Sequence, residues 1–136
     1  MSRIVLDRAL VRATSQAHGL AIVSRATRQT VNLAKELVPR KTGRLANSIG
    51  ESTFVQRDRV YSRVGTKVGY ARPIHDGSRR HTITPRRAKA LAFYWERIGE
   101  HVIFMSVSHP GNENYPFLTA ALYRAARANG MIVTRL

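Results

Sequence analysis

The residues best suited to chemistry in this chain are five histidines, His18, His75, His81, His101 and His109. An imidazole works as a general acid or base near neutral pH and as a metal ligand. Metal binding needs ligands at short fixed spacings, such as two histidines four apart on a helix, often with cysteine. None of the five histidines has such a spacing, and the chain has no cysteine. A phosphodiester-cleaving acid–base site would draw on His75, His81 and His109 with arginines around the phosphate. The plainer expectation is that these are polar loop histidines. Asp76 adjoins His75, but neighbours in sequence are expected to point apart on a helix, which makes the pair a helix end.

The other reactive groups are as dispersed. Of the eight carboxylates, only Glu96 and Glu100 stand four apart, and they flank an expected turn. Gly65-x-x-x-Gly69 lacks the Lys-Ser/Thr that completes a phosphate loop. No helix-turn-helix spacing, zinc finger or aromatic RNA-binding motif is present. Phe93, Trp95, Phe104 and Phe117 lie in apolar runs and are expected in a core. Tyr61 and Tyr70 have the chemistry to stack on nucleic-acid bases, with packing the preferred reading. The sequence thus nominates no catalytic, metal-ligating or cofactor-binding residue, and an enzyme is not expected.

The charge points to a partner. With 23 Lys+Arg against 8 Asp+Glu, the 136-residue chain carries a formal +15. Such a field favours nucleic acid, an anionic surface or acidic protein neighbours. Arginine supplies nearly all of it, the lysines being Lys35, Lys41, Lys67 and Lys89. Its planar fork suits bidentate pairing with phosphate or carboxylate. The lack of cysteine removes disulfides and thiolate chemistry and fits a reducing compartment. Charges throughout the first thirty residues argue against a signal peptide. No apolar run approaches the ~20 residues that cross a bilayer.

Positioning these groups falls to a series of short elements. Leu6, Leu10, Ala13, Ala17, Leu20, Ser24, Thr27, Val31, Ala34 and Val38 recur at steps of three and four, one face of a long helix. Gly19 inside it predicts a kink or a break. Pro39 ends it, because the residue before proline avoids the helical region. Thr42 is expected as the N-cap of a short helix from Gly43 to Ser48, anchored by Leu45 and Ile49. Thr53–Gln56 and Val60–Val64 predict a hairpin turning at Arg57-Asp58-Arg59. Pro73 and Gly77 bracket a further short helix. Residues 78–87, with Arg79, Arg80, Arg86 and Arg87, read as a basic exposed loop. Leu91–Trp95 and Val102–Val107 read as two strands joined by a turn at Arg97–Glu100. Apolar on more than one face, they suit a sheet centre or a strand pair covered by another subunit. His109–Asn114 reads as a loop. Pro116 suits the first turn of a last helix whose stripe is Phe117, Leu118, Ala121, Leu122 and Ala125, and Asn129-Gly130 ends it. The expectation is a single α+β domain over 1–136. A long N-terminal helix (1–38) and a C-terminal helix (116–129) pack on a small antiparallel sheet of two hairpins with short connecting helices (39–115), followed by a tail (130–136).

In this order the blocks resemble a known family, the neck and tail-completion proteins of long-tailed double-stranded DNA phages. The blocks are Val38-Pro39, Thr42-Gly43-Arg44-Leu45 with Ser48-Ile49, Val64-Gly65-Thr66, Tyr70-Ala71 and Asp76-Gly77. They continue with His81-Thr82-Ile83 and Pro85, Ala88-Lys89-Ala90-Leu91, His109-Pro110-Gly111 and Pro116-Phe117-Leu118. The resemblance spans roughly residues 20 to 125. Two departures are Ile74-His75-Asp76-Gly77, where the family often has Glu-Phe-Gly with a second aromatic, and a second hairpin turn that is not glycine-rich.

The resemblance implies a structural virion protein and no enzyme. It implies a ring-forming connector, often of six subunits, between head-completion proteins and the tail tube. The implied partners are further copies, neighbouring neck and tail-tube proteins, and the DNA that threads the channel, with no membrane. The implied location is the virion neck or tail, and the host cytoplasm during assembly. Residues 89–107 and the terminal helix are the expected framework. The loops at 65–70, 78–87 and 108–115 are expected to face neighbours, which brings Gly65, Tyr70, the four arginines and His109-Pro110-Gly111 to interfaces, with Gly77 a further expected interface residue beside them. The rival class is a basic nucleic-acid-binding or nuclease-like module, motivated by charge alone.

Overall fold

A computed structural model describes residues 8–57 and 59–133. Its element order is α1 (Arg8–Leu37), α2 (Arg44–Ser48), β1 (Gly50–Gln56), β2 (Arg59–Gly65), α3 (Ala71–Asp76), β3 (His81–Ile83), β4 (Leu91–Trp95), β5 (Glu100–Phe104), β6 (Val107–His109) and α4 (Phe117–Ala128). The fold class is α+β, with a long N-terminal helix and a shorter C-terminal one. The elements gather into two compact units, residues 1–71 with 116–136, and residues 72–115.

The first unit is built on α1. This helix is continuous through Gly19 over 30 residues, about 45 Å at 1.5 Å per residue. Only part of the expected seam is buried. Thr27, Val31, Ala34 and Val38 are buried, together with Ala26 and Thr30. Ala13 and Ala17 are exposed, and Leu20 is 39% exposed. The reason is length: α4 has 12 residues, fewer than half those of α1, and its buried face is Phe117, Ala121, Ala125 and Ala126. Leu6 and the side chain of Leu10, also placed on the seam, lie outside the described residues. Ala34, Ala121 and Ala125 are fully buried, so the helices meet over small side chains, and Phe117 is the largest side chain fully buried among the described residues. The buried threonines carry no unmet polar group: Thr27 Oγ1 donates to the Val23 carbonyl at 2.7 Å and Thr30 Oγ1 to that of Ala26 at 2.9 Å.

Pro39 stops α1 as expected, and the Arg40 guanidinium donates to the freed Lys35 carbonyl at 2.9 Å. The N-cap of α2 is Gly43 rather than Thr42. Gly43 sits at φ 74°, a left-handed conformation that threonine avoids. Thr42 Oγ1 instead accepts a long 3.4 Å bond from the Arg44 amide. Leu45 and Ile49 are buried as anchors. α4 starts one residue after Pro116, which holds its N-cap position. Leu122 of its expected stripe is 47% exposed. The helix ends in a Schellman motif, with Gly130 at φ 65° and the Met131 amide donating to the Ala126 carbonyl at 2.8 Å.

β1 and β2 form an antiparallel ribbon registered from Gly50↔Gly65 to Gln56↔Arg59. Gly65 is the last residue of β2. A side chain added at Gly19 would lie 3.7 Å from Val60 Cγ2, so the Val60 face of the ribbon lies toward α1. At the far end, the Gln16 amide donates to the Arg57 carbonyl.

The second unit differs most from expectation. The second sheet is not one hairpin. β4 and β5 pair as a ribbon (Leu91↔Phe104, Trp95↔Glu100), while β3 and β6 pair separately (His81↔His109, Ile83↔Val107). Three separate two-stranded sheets therefore replace the expected single sheet of two hairpins. The expected strand Val102–Val107 is broken between Phe104 and Val107. The basic segment 78–87 contains β3, and His109 belongs to a strand rather than a loop. Glu100 is likewise a strand residue, so the turn between β4 and β5 falls on residues 96–99. Among its described residues, none is buried.

Candidate interaction surface

Two pairs of sequence blocks come together, one in each unit. In the first unit Ser48 Oγ donates to the Leu45 carbonyl at 2.7 Å and lies 2.6 Å from Thr66 Oγ1. Thr66 Oγ1 also accepts from the Val68 amide at 3.1 Å. The end of α2 is thereby tied to the chain leaving Gly65. Phe117 and Leu45 are buried in this unit, Leu118 is half-buried, and Tyr70 is 41% exposed. These residues form its framework rather than a reactive centre.

In the second unit the segments Gly77-Ser78 and Gly111-Asn112 lock together. The Ser78 amide donates to the Asn112 carbonyl at 2.9 Å, and the Asn112 amide returns a bond to Ser78 at 3.0 Å. Asn112 N–H also reaches Ser78 Oγ at 3.1 Å. Both glycines have positive φ, 78° at Gly77 and 93° at Gly111. A Cβ at Gly111 would fall 2.1 Å from the Ser78 carbonyl oxygen, and one at Gly77 2.9 Å from that of Asn112. Only glycine fits either place.

Beside this lock, His81 and His109 face each other across β3 and β6, ring centroids 5.1 Å apart. Their neighbours fix opposite tautomers. His81 Nδ1–H donates to the Arg79 carbonyl at 2.8 Å, which leaves Nε2 as an acceptor. His109 Nδ1 accepts the Gly111 amide at 3.0 Å, which leaves Nε2–H as a donor. Among the described residues no hydrogen bond joins either ring to a carboxylate. The strand register accounts for the pairing, which is not legible in sequence because three-residue strands carry no readable period.

His75 and Asp76 do not point apart. His75 Nδ1 lies 2.7 Å from Asp76 Oδ1, at the C-terminal end of the six-residue α3. The His75 hydrogen bond holds the Asp76 carboxyl below its usual range, and the Arg72 guanidinium, 3.6 Å away, adds to this. Arg79, Arg80, Arg86 and Arg87 are all exposed. Among the described residues no three His, Asp or Glu side chains converge as a metal site would require.

What dominates the unit is apolar surface. One face of the β4–β5 ribbon carries Leu91, Phe93 and Trp95 with Phe104. Phe104 is 6.3 Å from both Phe93 and Trp95 by ring centroid, edge-on to the tryptophan. Together with Ile83 and Val107 these side chains line an open groove of about 560 Å³ that ends at His109 and Pro110. The opposite face carries Tyr94 against His101 and Ile103, which is 73% exposed. Met105 is also 73% exposed. Neither strand is central to a sheet; both faces of a two-stranded ribbon lie open.

No helix among the described residues is long and apolar enough to cross a membrane. Comparisons with protein-family models, with curated proteins and with solved structures gave no match.

Proposed function

We propose that this chain is a structural protein of a tailed-phage virion, a ring-forming tail-completion or head–tail connector component that joins tail to head without catalysis. The observation that carries the reading is the second unit: it buries none of its described side chains yet exposes Phe93, Trp95, Ile103, Phe104 and Met105. Apolar surface on this scale marks an interaction site. Further copies of the chain would cover it, through heterologous contacts that close into a ring. The ordered motif blocks also support the reading, since Asp76-Gly77 and His109-Pro110-Gly111 meet at the glycine lock that frames this surface. Such a protein works by geometry and needs no cofactor. Its partners would be copies of itself, ring number six, and neighbouring neck and tail-tube proteins, with DNA in the channel. It would reside in the virion neck and assemble in the host cytoplasm.

Light scattering on the purified chain tests this. A discrete oligomer is expected, reduced to monomer by Ile103→Glu with unchanged circular dichroism. An oligomer indifferent to charges placed at Ile103 and Phe93 would overturn the assignment of this surface.

A further inference from the structure

The positive charge is unevenly shared. The first unit holds sixteen of the basic residues against four acidic ones, and the second holds seven against four. Within the first unit, the face of the β1–β2 ribbon opposite Val60 carries three consecutive cross-strand pairs, Ser52↔Arg63, Phe54↔Tyr61 and Gln56↔Arg59. Among the described residues it bears no carboxylate; Glu51 lies on the other face, by alternation along the strand. The Phe54 and Tyr61 rings stack with centroids 5.1 Å apart at 22°, and the Arg63 guanidinium sits 5.7 Å over Phe54. Phe54 remains 39% exposed, and Arg59, Arg63 and Gln56 are exposed. Two arginines thus flank a preformed aromatic stack on an open ribbon.

We infer that this face binds a single-stranded nucleic acid. Arg59 and Arg63 would take successive phosphates, the aromatic stack would accept an unpaired base, and Ser52 and Gln56 would supply hydrogen bonds. A purely acidic protein partner would use the arginines and gain little from the aromatic stack. A duplex, with its bases already paired, would do the same. The proposal does not depend on the ring assembly, and its failure would leave that reading untouched.

The test is fluorescence anisotropy of a labelled oligo-dT with the full chain over a series of salt concentrations. Arg59→Gln with Arg63→Gln is expected to lower the log–log salt slope by about 1.4, two phosphates at about 0.7 each for a single strand. Phe54→Leu with Tyr61→Leu is expected to weaken binding at least about fivefold while leaving the slope unchanged, as loss of base stacking would. Arg124→Gln with Arg127→Gln removes the same charge from exposed positions on α4 and is expected to change the slope by much less. Equal slope losses from the two arginine pairs would overturn the proposal. So would binding indifferent to the aromatic pair, or equal competition by duplex or by poly-glutamate of matched charge. Circular dichroism confirms that each variant is folded, and the arginine pair, exposed and remote from the core, keeps the test decisive if the leucine pair is not.

Discussion

Gly111 lies against the backbone of Ser78 so closely that a single added carbon would overlap the Ser78 carbonyl oxygen, at 2.1 Å. Two glycine-containing turns more than thirty residues apart are held by reciprocal amide bonds between Ser78 and Asn112. In a unit with no buried side chain among its described residues, such backbone contacts carry much of the burden of holding the segments together.

Gly111→Ala is therefore expected to be far more damaging than Gly130→Ala. Both glycines have positive φ, which costs a non-glycine residue about 1–3 kcal/mol. Only Gly111 adds a clash with backbone, since Gly130 has open space at its Cβ position. Hydrogen exchange at the Ser78 and Asn112 amides reads the effect: protection is lost in Gly111→Ala and kept in Gly130→Ala.

Gly19→Ala is expected to stabilise the chain by about 0.5–1 kcal/mol. The position is mid-helix with ordinary room, 3.7 Å from Val60 Cγ2. Urea denaturation followed by circular dichroism measures the gain. A loss would mean that α1 bends at Gly19 or that the ribbon lies closer than this contact allows.

Much of this frame was legible in the sequence. Pro39 and Asn129-Gly130 announced helix ends by backbone rules that act locally, and Pro73 with Gly77 announced α3. The first hairpin was legible in outline from its β-branched runs, although Gly50 and Gly65 extend it beyond them. The features that local sequence does not encode are non-local pairings. β3 and β6 are three residues each, join positions 81–83 to 107–109, and leave no period to detect. The helical seam was visible over its whole length, but which half is buried depends on the reach of α4. For the candidate surface, the double-sided apolar character of Leu91–Trp95 was plain from composition, whereas the groove exists only because β3 and β6 pair beside it. Thr42 has the capping chemistry, but the left-handed backbone at the N-cap position needs Gly43.

Asp76 is expected to add a small acid-sensitive contribution. Its carboxyl is held below its ordinary value by His75 and Arg72, so its favourable contribution is fully present above the unfolded-state pKa. It is lost as pH falls through the lower folded-state value. The group is exposed, so the effect on overall stability is expected to be small. Carbon-detected NMR titration of the Asp76 carboxyl checks this: the midpoint lies below that of a model aspartate in the wild type and moves up in His75→Ala.

We propose the open apolar ribbon of residues 91–105 as an assembly surface. Native mass spectrometry of the intact chain, alone and mixed with tail-tube protein, tests it most directly. A closed oligomer of defined number, six by the family resemblance, is expected, falling to monomer in Ile103→Glu. Monomer as the sole species both alone and with tail-tube protein would contradict it.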